Sequence, residues 1–206
     1  MQKFFVTGIG THVGKTIVSA VLVEALQADY WKPIQAGDLN NSDTQKVQRL
    51  VSNAKSNFHK EAYALTTPAS PHYAAELDGV EISLNNFHLP KTNNTLIVEG
   101  AGGLLVPINQ KGETITDVIK HLNCSVILVS RHYLGSINHT LMSLKVLKSE
   151  GLKVAGIVFV GDENIATERI IQTISGAKVL GRIPHLSSIN KETIFEVAQA
   201  FKNVLA

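Results

Sequence analysis

A short segment near the amino terminus combines glycine, lysine and threonine at a spacing that binds phosphate groups. Residues 8–16 read GIGTHVGKT, and they follow the apolar residues 4–6. Glycines let consecutive backbone N–H groups face an anion, Lys15 can bridge terminal phosphates, and the Thr16 hydroxyl can bind Mg²⁺. The first glycine stands one residue early, so the segment is a variant of the phosphate-binding loop. The sequence therefore predicts binding of a nucleoside triphosphate.

A lysine and an aspartate follow the second apolar run of the chain. Lys32 opens the segment KPIQAGD and could meet anionic oxygens, although an isolated Lys-Pro pair is more often a surface turn. Asp43 lies in NSDT at a predicted helix start, where it could cap the helix or supply an acid near the phosphates. Both alternatives stay open for each residue.

Two later segments also carry candidate residues. Glu99 directly follows the apolar residues 96–98, at the place where nucleotide-binding sheets carry a carboxylate near Mg²⁺. The glycines after it permit close approach to an anion, although such loops also occur without ligands. The segment LGSINH opens a later helix, and its N–H groups and the Asn138 amide could take a substrate carboxylate. The alternative is Ser136 as an ordinary cap with Asn138 facing solvent.

Histidine, cysteine and serine give weaker signals. His72 follows Ser-Pro in a polar segment and is expected to be a solvated side chain, whereas His12 lies inside the phosphate loop. No set of His, Cys and carboxylate residues has the spacing of a zinc site, and no serine stands in a G-x-S-x-G elbow. Zinc chemistry and serine hydrolase chemistry are therefore disfavoured.

The elements that must position these residues alternate between short apolar runs and helical patterns. The alternation predicts a three-layer α/β fold, a doubly wound, mostly parallel sheet of about six or seven strands with helices on both faces. Ligands of such sheets bind at the carboxyl ends of the strands, so the loops after the first four predicted strands should converge. The polar, proline-containing residues 57–94 are predicted to form an irregular excursion. The predicted strands are 4–7, 30–34, 95–98, 125–129, 154–160 and 178–180, and the predicted helices are 15–27, 43–54, 115–122, 137–150, 164–175 and 191–204.

Length and composition limit the class of protein. A chain of 206 residues with 44% hydrophobic and 17% charged residues is expected to form one domain over residues 1–206. A net charge of +2 argues against a nucleic-acid or membrane surface and favours a small-molecule substrate. The single cysteine, Cys124, allows no disulfide within the chain, and no apolar stretch approaches the ~20 residues that span a bilayer. We therefore expect a cytoplasmic protein.

Eight segments together resemble the dethiobiotin synthetases, a family with the fold of P-loop nucleotide triphosphatases. The resemblance covers nearly the whole chain and implies an ATP-dependent ligase of biotin synthesis. It implies ATP and Mg²⁺ as cofactors, CO₂ and 7,8-diaminononanoate as substrates, and a homodimer with the substrate site at the interface. The segments are VTGIGTHVGKT, KPIQAG, NSDT, PASPH, VEGAGG, LGSINH, AGIVF and GRIPHL.

The resemblance also implies a mechanism and a set of site residues. A carbamate of the diamine attacks the terminal phosphate of ATP, and the second amine then closes the ring. Lys32, Lys15 and Thr11 are the implied catalytic residues, and Thr16, Asp43 and Glu99 the implied Mg²⁺ neighbours. The implied nucleotide contacts are His12, Val13, Gly14, Lys15, Thr16, Ile17, Asp43, Glu99, Gly100, Ala101, Gly102, Ile183, Pro184 and His185. The implied substrate contacts are Ala36, Gly135, Ser136 and Asn138, with the LGSINH loop reaching across from the other subunit.

The chain departs from the family pattern at three places. His12 stands where many members carry glutamate in the phosphate loop, and Ala36 where many carry serine or threonine. A hydroxyl contact to the substrate is therefore missing. The strand AGIVF continues as Val160-Gly161-Asp162, whereas many relatives carry an Asn-Asp pair there that reads adenine. Selectivity for ATP over other triphosphates is consequently an open question.

A switch ATPase of the same fold, acting in partitioning or assembly, is the main alternative. Such proteins carry an early lysine in a KGGxGKT loop, whereas this chain has Gly10 there, followed by Thr11 and His12. A binding module without catalysis leaves Lys32 and Asn138 unexplained. A nucleoside kinase would carry an arginine-rich lid, and the four arginines here are widely spread.

Overall fold

Runs of β-branched and aromatic residues form parallel strands, and amphipathic helices connect most of them. The computed structural model describes residues 2–205. Two short 3₁₀ helices cover Leu39–Asn41 and Leu84–Asn86. The strands are β1 Lys3–Gly8, β2 Asp29–Trp31, β3 Ile34–Ala36, β4 Phe58–His59, β5 Tyr63–Leu65, β6 Leu96–Gly103, β7 Ser125–Arg131, β8 Val154–Val160 and β9 Val179–Ile183. The α-helices are α1 Lys15–Leu26, α2 Asp43–Leu50, α3 Pro71–Leu77, α4 Ile115–Leu122, α5 Ser136–Ser149, α6 Ile165–Ser175 and α7 Lys191–Gln199.

The main sheet has seven strands in the order β4-β2-β6-β1-β7-β8-β9. All of its neighbouring strands run parallel. Strands β4 and β2 lie beyond β6, and β8 and β9 lie beyond β7, so the strand order reverses at β1. In such sheets the reversal opens a crevice at the carboxyl ends of the strands. The predicted doubly wound parallel sheet is confirmed.

Helices cover both faces of the sheet, as predicted. Along β1, Phe4 and Val6 point into one apolar core and Phe5 points into the other, which is the alternation expected of a doubly covered strand. The first core includes residues of α1, α2 and α7, and the second includes residues of α3, α4, α5 and α6. No helix within residues 2–205 combines the length and apolar character needed to cross a membrane.

The predicted second strand, residues 30–34, is two strands. Strand β2 ends at Trp31, and β3 begins at Ile34 and pairs with β5 in a separate two-stranded ladder. Pro33 has no N–H group to continue the main ladder, and its carbonyl accepts hydrogen bonds from the N–H groups of Ala62 and Tyr63, each at 3.0 Å. The prediction that residues 57–94 form an irregular excursion is wrong where β4, β5 and α3 lie.

Strand β6 is longer than predicted and carries the candidate carboxylate inside it. The prediction ended this strand at residue 98, whereas β6 continues to Gly103 through a bulge. Glu99 pairs with Val6, and Gly103 pairs with Gly8. Gly102 in the bulge has φ of 70°, a conformation that favours glycine. Glu99 thus lies inside the strand, paired with β1 and one residue beyond the last residue paired with β2, Val98.

Other boundaries also differ from the predictions. Helix α2 ends at Leu50, before the predicted residue 54, because Val51 is extended. Helix α7 ends at Gln199, before the predicted residue 204, and β9 covers Val179–Ile183 where residues 178–180 were predicted.

Candidate functional site

The phosphate-binding loop joins β1 to α1, as its sequence predicted. Lys15 is the first residue of α1, and its Nζ atom donates to the Gly10 carbonyl at 3.0 Å, so the side chain lies over the loop. Arg131 supports the loop from β7 by donating to the His12 carbonyl at 3.2 Å. The first N–H groups of a helix have no intrahelical acceptor. The loop and the start of α1 therefore offer backbone donors and one ammonium group to an anion.

Burial lowers the pKa of Lys15 to about 8, and the charge on Lys32 contributes to this shift. The Glu99 carboxylate acts in the opposite direction. A bound phosphate would likewise stabilise the charged ammonium group. Lys15 is therefore a buried cation whose charge a phosphate ligand would favour.

Lys32 directly follows β2 and lies between two carboxylates, those of Asp43 in α2 and Glu99 in β6. Its Nζ atom is 2.9 Å from Asp43 Oδ2 and 3.2 Å from Glu99 Oε1, and it lies 3.4 Å from the Gly100 carbonyl. Burial alone would lower the pKa of Lys32, but the two carboxylates prevail and raise it above its ordinary value. Lys32 is thus a fixed, buried positive charge and not a surface turn residue.

Glu99 in β6 is connected to α1 and to β2 through hydrogen bonds to its two carboxylate oxygens. Thr16 donates its hydroxyl to Oε1 at 3.0 Å, and Tyr30 donates its hydroxyl to Oε2 at 2.9 Å. Glu99 itself is 1% exposed. Tyr30 is not among the predicted site residues, although it stands two residues before Lys32 and residues at that spacing share one face of a strand. That spacing is the signal that could have found it.

We expect Tyr30→Phe to destabilise the fold by about 1–3 kcal/mol, because a buried carboxylate oxygen loses its donor. Tyr30 is fully buried, and phenylalanine keeps its ring and its contact with Phe58. The free energy of unfolding in urea measures the effect. Tyr73→Phe is the matched control, because Tyr73 is 48% exposed. Equal unfolding free energies for the two variants would contradict support of Glu99 by Tyr30.

Asp43 lies at the start of α2 but does not cap it. Ser42 is the N-cap, and it forms a capping box with Gln45. Asp43 instead points its carboxylate at Lys32, and Lys46 Nζ lies 3.3 Å from its Oδ1. Burial alone would raise the pKa of Asp43, but Lys32, followed by Lys46, holds it below its ordinary value. The structure therefore excludes the helix-cap alternative for Asp43, and its role as an acid near the phosphates stays a prediction.

Thr16, Asp43 and Glu99 supply oxygen atoms of the kind that Mg²⁺ prefers. Thr16 and Glu99 are in direct contact, and Lys32 bridges Glu99 to Asp43. Within residues 2–205, no cluster of three or more His, Cys, Asp or Glu side chains could hold a metal ion. Mg²⁺ commonly uses only one or two carboxylates together with substrate phosphates, so the three residues fit this ion.

The LGSINH segment lies further along the same edge of the sheet. Helix α5 begins at Ser136, and Gly135 is its cap, so Ser136 is not the N-cap. The segment borders an open cavity of about 810 Å³. Strands β2 and β7 are three strand spacings apart, or about 14 Å, so the structure does not bring Asn138 and Lys32 together within one chain. The cavity is lined by His132, Tyr133, Leu134, Gly135, Ser136, Ile137, Asn138, Leu141, Asn164 and Thr167.

The segment around Ile183 ends β9 at the same edge. Ile183 is buried, and its carbonyl accepts the Gly161 N–H at 2.9 Å, whereas Pro184 and His185 are exposed. Val160 ends β8 and packs against Gly14 of the phosphate loop. The Val160 side chain is therefore an apolar group beside the phosphate loop. Neither Val160 nor Gly161 carries a side-chain amide that could bind a base.

The remaining candidates lie close to these residues in sequence but differ in exposure. Thr11 and His12 are exposed on the phosphate loop, whereas Val13 is buried. Ile17 follows Thr16 in α1 and is half-buried, as are Ala36 in β3 and Ala101 in the β6 bulge.

Comparison with solved structures agrees with this architecture. The chain resembles a ParA family ATPase from Chlorobium tepidum, with a TM-score of 0.55, 15% identity and coverage of 96% of this chain and 97% of the other. It also resembles the septum site-determining protein MinD from Pyrococcus horikoshii, with a TM-score of 0.58, 16% identity and coverage of 99% and 94%. At these identities the likeness concerns the fold alone. A family model described as an AAA domain matches residues 2–193.

The parallel sheet, the loop after β1 and the lysine at the start of α1 define a P-loop nucleotide triphosphatase. Relatives with assigned names show which family within this class the chain resembles. The ATP-dependent dethiobiotin synthetase BioD of Christiangramia forsetii is 54% identical over 99% of this chain and 98% of its own length. The protein of the same name from Cytophaga hutchinsonii is 50% identical over 94% of each chain. The chain belongs to the dethiobiotin synthetase family, as its motifs predicted.

Proposed function

We propose that this enzyme is a ligase that closes the ureido ring of dethiobiotin from 7,8-diaminononanoate, CO₂ and ATP. The membership of the family supports the reaction, and one observation carries the assignment of its site. Lys32, a buried cation, lies within hydrogen-bond distance of Glu99, which also contacts Thr16 of the phosphate-binding loop. A fixed charge at this point suits a reaction between two anionic groups.

The loop after β1 binds the phosphates of ATP through its backbone N–H groups and Lys15. Thr16, Asp43 and Glu99 would hold Mg²⁺, which would neutralise charge on the phosphate oxygens. The proposed contacts of the nucleotide also include the β6 bulge and the residues that follow β9. Thr11 and His12 are exposed on the loop, where a bound triphosphate would meet them.

The proposed chemistry proceeds in two displacements. One amine of the substrate adds to CO₂ and loses a proton, and an oxygen of the resulting carbamate attacks the terminal phosphorus as ADP leaves. The second amine then attacks the carbamoyl carbon and loses a proton, the ring closes, and phosphate leaves. Lys32 and Lys15 supply positive charge while carbamate and phosphoryl oxygens approach each other, which is the electrostatic contribution expected in phosphoryl transfer.

We infer that two chains assemble and that the LGSINH loop of one binds the substrate carboxylate of the other. The separation between Asn138 and Lys32 within one chain supports this arrangement. Exposed apolar residues also surround the loop: Leu134 is fully exposed, and Met142 on α5 is 57% exposed. Backbone N–H groups at the start of α5, together with Asn138, suit a carboxylate ligand. Ala36 gives the substrate no hydroxyl group, so the other contacts must position the diamine.

Two broader inferences accompany this function. We infer that residues 1–206 act as one domain, because both apolar cores pack against the same seven-stranded sheet. We also infer a cytoplasmic location, since ATP is consumed and the single cysteine, Cys124, is buried in the structure.

The function is tested by measuring phosphate release from Mg²⁺ and ATP with bicarbonate, with and without 7,8-diaminononanoate, while mass spectrometry follows the ring-closed product. Release that requires the diamine and yields the product is the expected result. Release or dimerisation that the diamine does not affect would favour the switch ATPase instead. That alternative rests on the fold, which the structure shares with ParA and MinD proteins.

We expect the enzyme to discriminate weakly among nucleoside triphosphates, with kcat/KM values for ATP, GTP and CTP within about tenfold of one another. Strong rejection of a wrong base requires polar groups in the binding site that the wrong base would leave without a hydrogen-bond partner. Val160 is apolar, and the Gly161 N–H is already bonded to Ile183. Initial rates with each triphosphate measure the ratio. A preference for ATP of more than about tenfold would contradict the prediction, because it would require polar groups that read the base.

A further inference from the structure

Gln35 is a buried amide beside the catalytic charges that the proposed mechanism does not use. It lies in the middle of β3 and is 4% exposed. Its Nε2 atom donates to the Gly37 carbonyl at 2.9 Å, and its Oε1 atom accepts the Asp43 N–H at 3.1 Å. One side chain thus connects the turn after β3 to the first residue of α2.

The two hydrogen-bond partners of Gln35, Gly37 and Asp43, lie in backbone segments that neighbouring groups hold in place. Gly37 and Asp38 have φ of 71° and 52°, so two consecutive residues are left-handed, and Asp38 is not glycine. Such conformations persist where the surroundings hold them. The Gly37 N–H is bonded to the Leu65 carbonyl at 2.9 Å, and its Cα packs so closely on Pro68 that a Cβ atom would lie 2.5 Å away. The bond from Gln35 completes the support of the turn.

Three backbone N–H groups at the start of α2 donate to side chains, and among these three acceptors Gln35 is the one that lies outside the helix and its cap. The Thr44 hydroxyl also donates to Glu61, at 2.6 Å. Within the capping box, Ser42 accepts the Gln45 N–H, and the Gln45 side chain accepts the Ser42 N–H. Gln35 accepts the N–H of Asp43. Helix α2 has eight residues, and a slip of one residue along its axis would move Asp43 by about 1.5 Å. A movement of that size would break the 2.9 Å contact between Asp43 and Lys32.

We propose that Gln35 is a positioning residue that fixes Asp43 beside Lys32 by joining the turn after β3 to the start of α2. This inference rests on the proposed function of Lys32. Gln35 is not a catalytic residue, because its amide oxygen and nitrogen are both bonded to backbone. For the same reason it does not replace the hydroxyl group that is missing at Ala36.

The test compares Gln35→Met with Gln45→Met. Methionine has nearly the length of glutamine but cannot make either of the two hydrogen bonds of the Gln35 side-chain amide. The control, Gln45→Met, removes a side-chain amide hydrogen bond at the same end of α2, the bond from the Ser42 N–H. It leaves the hydrogen bonds of Asp43 and Gly37 to Gln35 in place. We expect Gln35→Met to lower kcat/KM for the diamine about tenfold or more, because misplacement of a group by about 1 Å is costly in catalysis. The Kd for ATP without Mg²⁺, read from the fluorescence of the single tryptophan, Trp31, should stay within about threefold, because the phosphate loop is intact and Asp43 is a proposed neighbour of the metal only.

The outcomes separate positioning from stability. A large loss of kcat/KM in Gln35→Met, little loss in Gln45→Met and an unchanged affinity for Mg²⁺-free ATP in both would support the proposal. If Gln35→Met only lowers the urea midpoint, while its kinetics per folded molecule match the control, the positioning role is overturned. Failure of the wild-type enzyme to form product would refute the proposed function instead, and that result is read from the wild type alone.

Discussion

Lys32→Ala is expected to lower turnover by about 100- to 1,000-fold, the usual loss when a group that stabilises transition-state charge is removed. The affinity for ATP should change by no more than about threefold, because Lys15 and the loop N–H groups bind the phosphates. This combination marks an interaction made mainly in the transition state. Turnover assays at saturating ATP and diamine, with a separate ATP binding titration, measure both quantities.

Removing Lys32 also leaves two carboxylates, Asp43 and Glu99, without their shared counter-charge. Breaking a buried ion pair in this way costs about 3–5 kcal/mol, so the turnover of the variant must be expressed per folded molecule from an unfolding curve. Lys32→Ala combined with Asp43→Asn removes one of the two negative charges and provides a more stable background. Because Asp43 is also a proposed Mg²⁺ neighbour, the double variant should turn over no faster than Lys32→Ala.

Lys46→Ala is the matched control for Lys32. Lys46 lies 3.3 Å from the same aspartate but is 32% exposed in its side chain and does not contact Glu99. We expect its loss to change turnover by no more than about threefold, since exposed ion pairs contribute little. Equal losses for the two lysines, or full turnover in Lys32→Ala, would remove Lys32 from the proposed mechanism.

The residues that lie in regular positions of the fold could be predicted from the sequence. The phosphate loop follows the first strand, and Lys32 and Glu99 lie at or near strand ends, so the rule for parallel sheets brought them to one edge. The bulge in β6 was not predictable, because a run of glycines is compatible with a loop or with a strand. The break between β2 and β3 was signalled by Pro33, but the pairing of β3 with β5 depends on distant residues.

Tyr30 and Gln35 were missed for different reasons. Tyr30 resembles an ordinary core aromatic residue in an apolar run, and its role depends on a carboxylate from a strand 69 residues away. Gln35 bonds only to backbone groups, and its partners are set by a left-handed turn and a helix start that the sequence did not define in three dimensions. The distance between LGSINH and Lys32 was likewise fixed by strand order, which periodicity does not give.

Glu99→Gln is expected to raise the Mg²⁺ concentration for half-maximal turnover about tenfold or more, the usual cost of a change near a metal. Glutamine keeps the shape of the side chain but removes its charge, and its NH₂ group would face the donors Thr16, Lys32 or Tyr30. Titration of Mg²⁺ at fixed ATP, followed by phosphate release and by the fluorescence of Trp31, measures the change. The fluorescence titration separates weaker metal binding from slower chemistry.

Glu24→Gln is the control that separates an effect on Mg²⁺ binding from an effect on the stability of the fold. Glu24 is also buried in α1 and accepts hydrogen bonds from the N–H groups of Ser52 and Asn53. It lies eight residues along the helix from Thr16, or about 12 Å. Both variants should lose stability, because each keeps a buried polar group with imperfect partners. Only Glu99→Gln should shift the Mg²⁺ titration, and an unchanged titration in that variant would show that the carboxylate in β6 does not act on the metal.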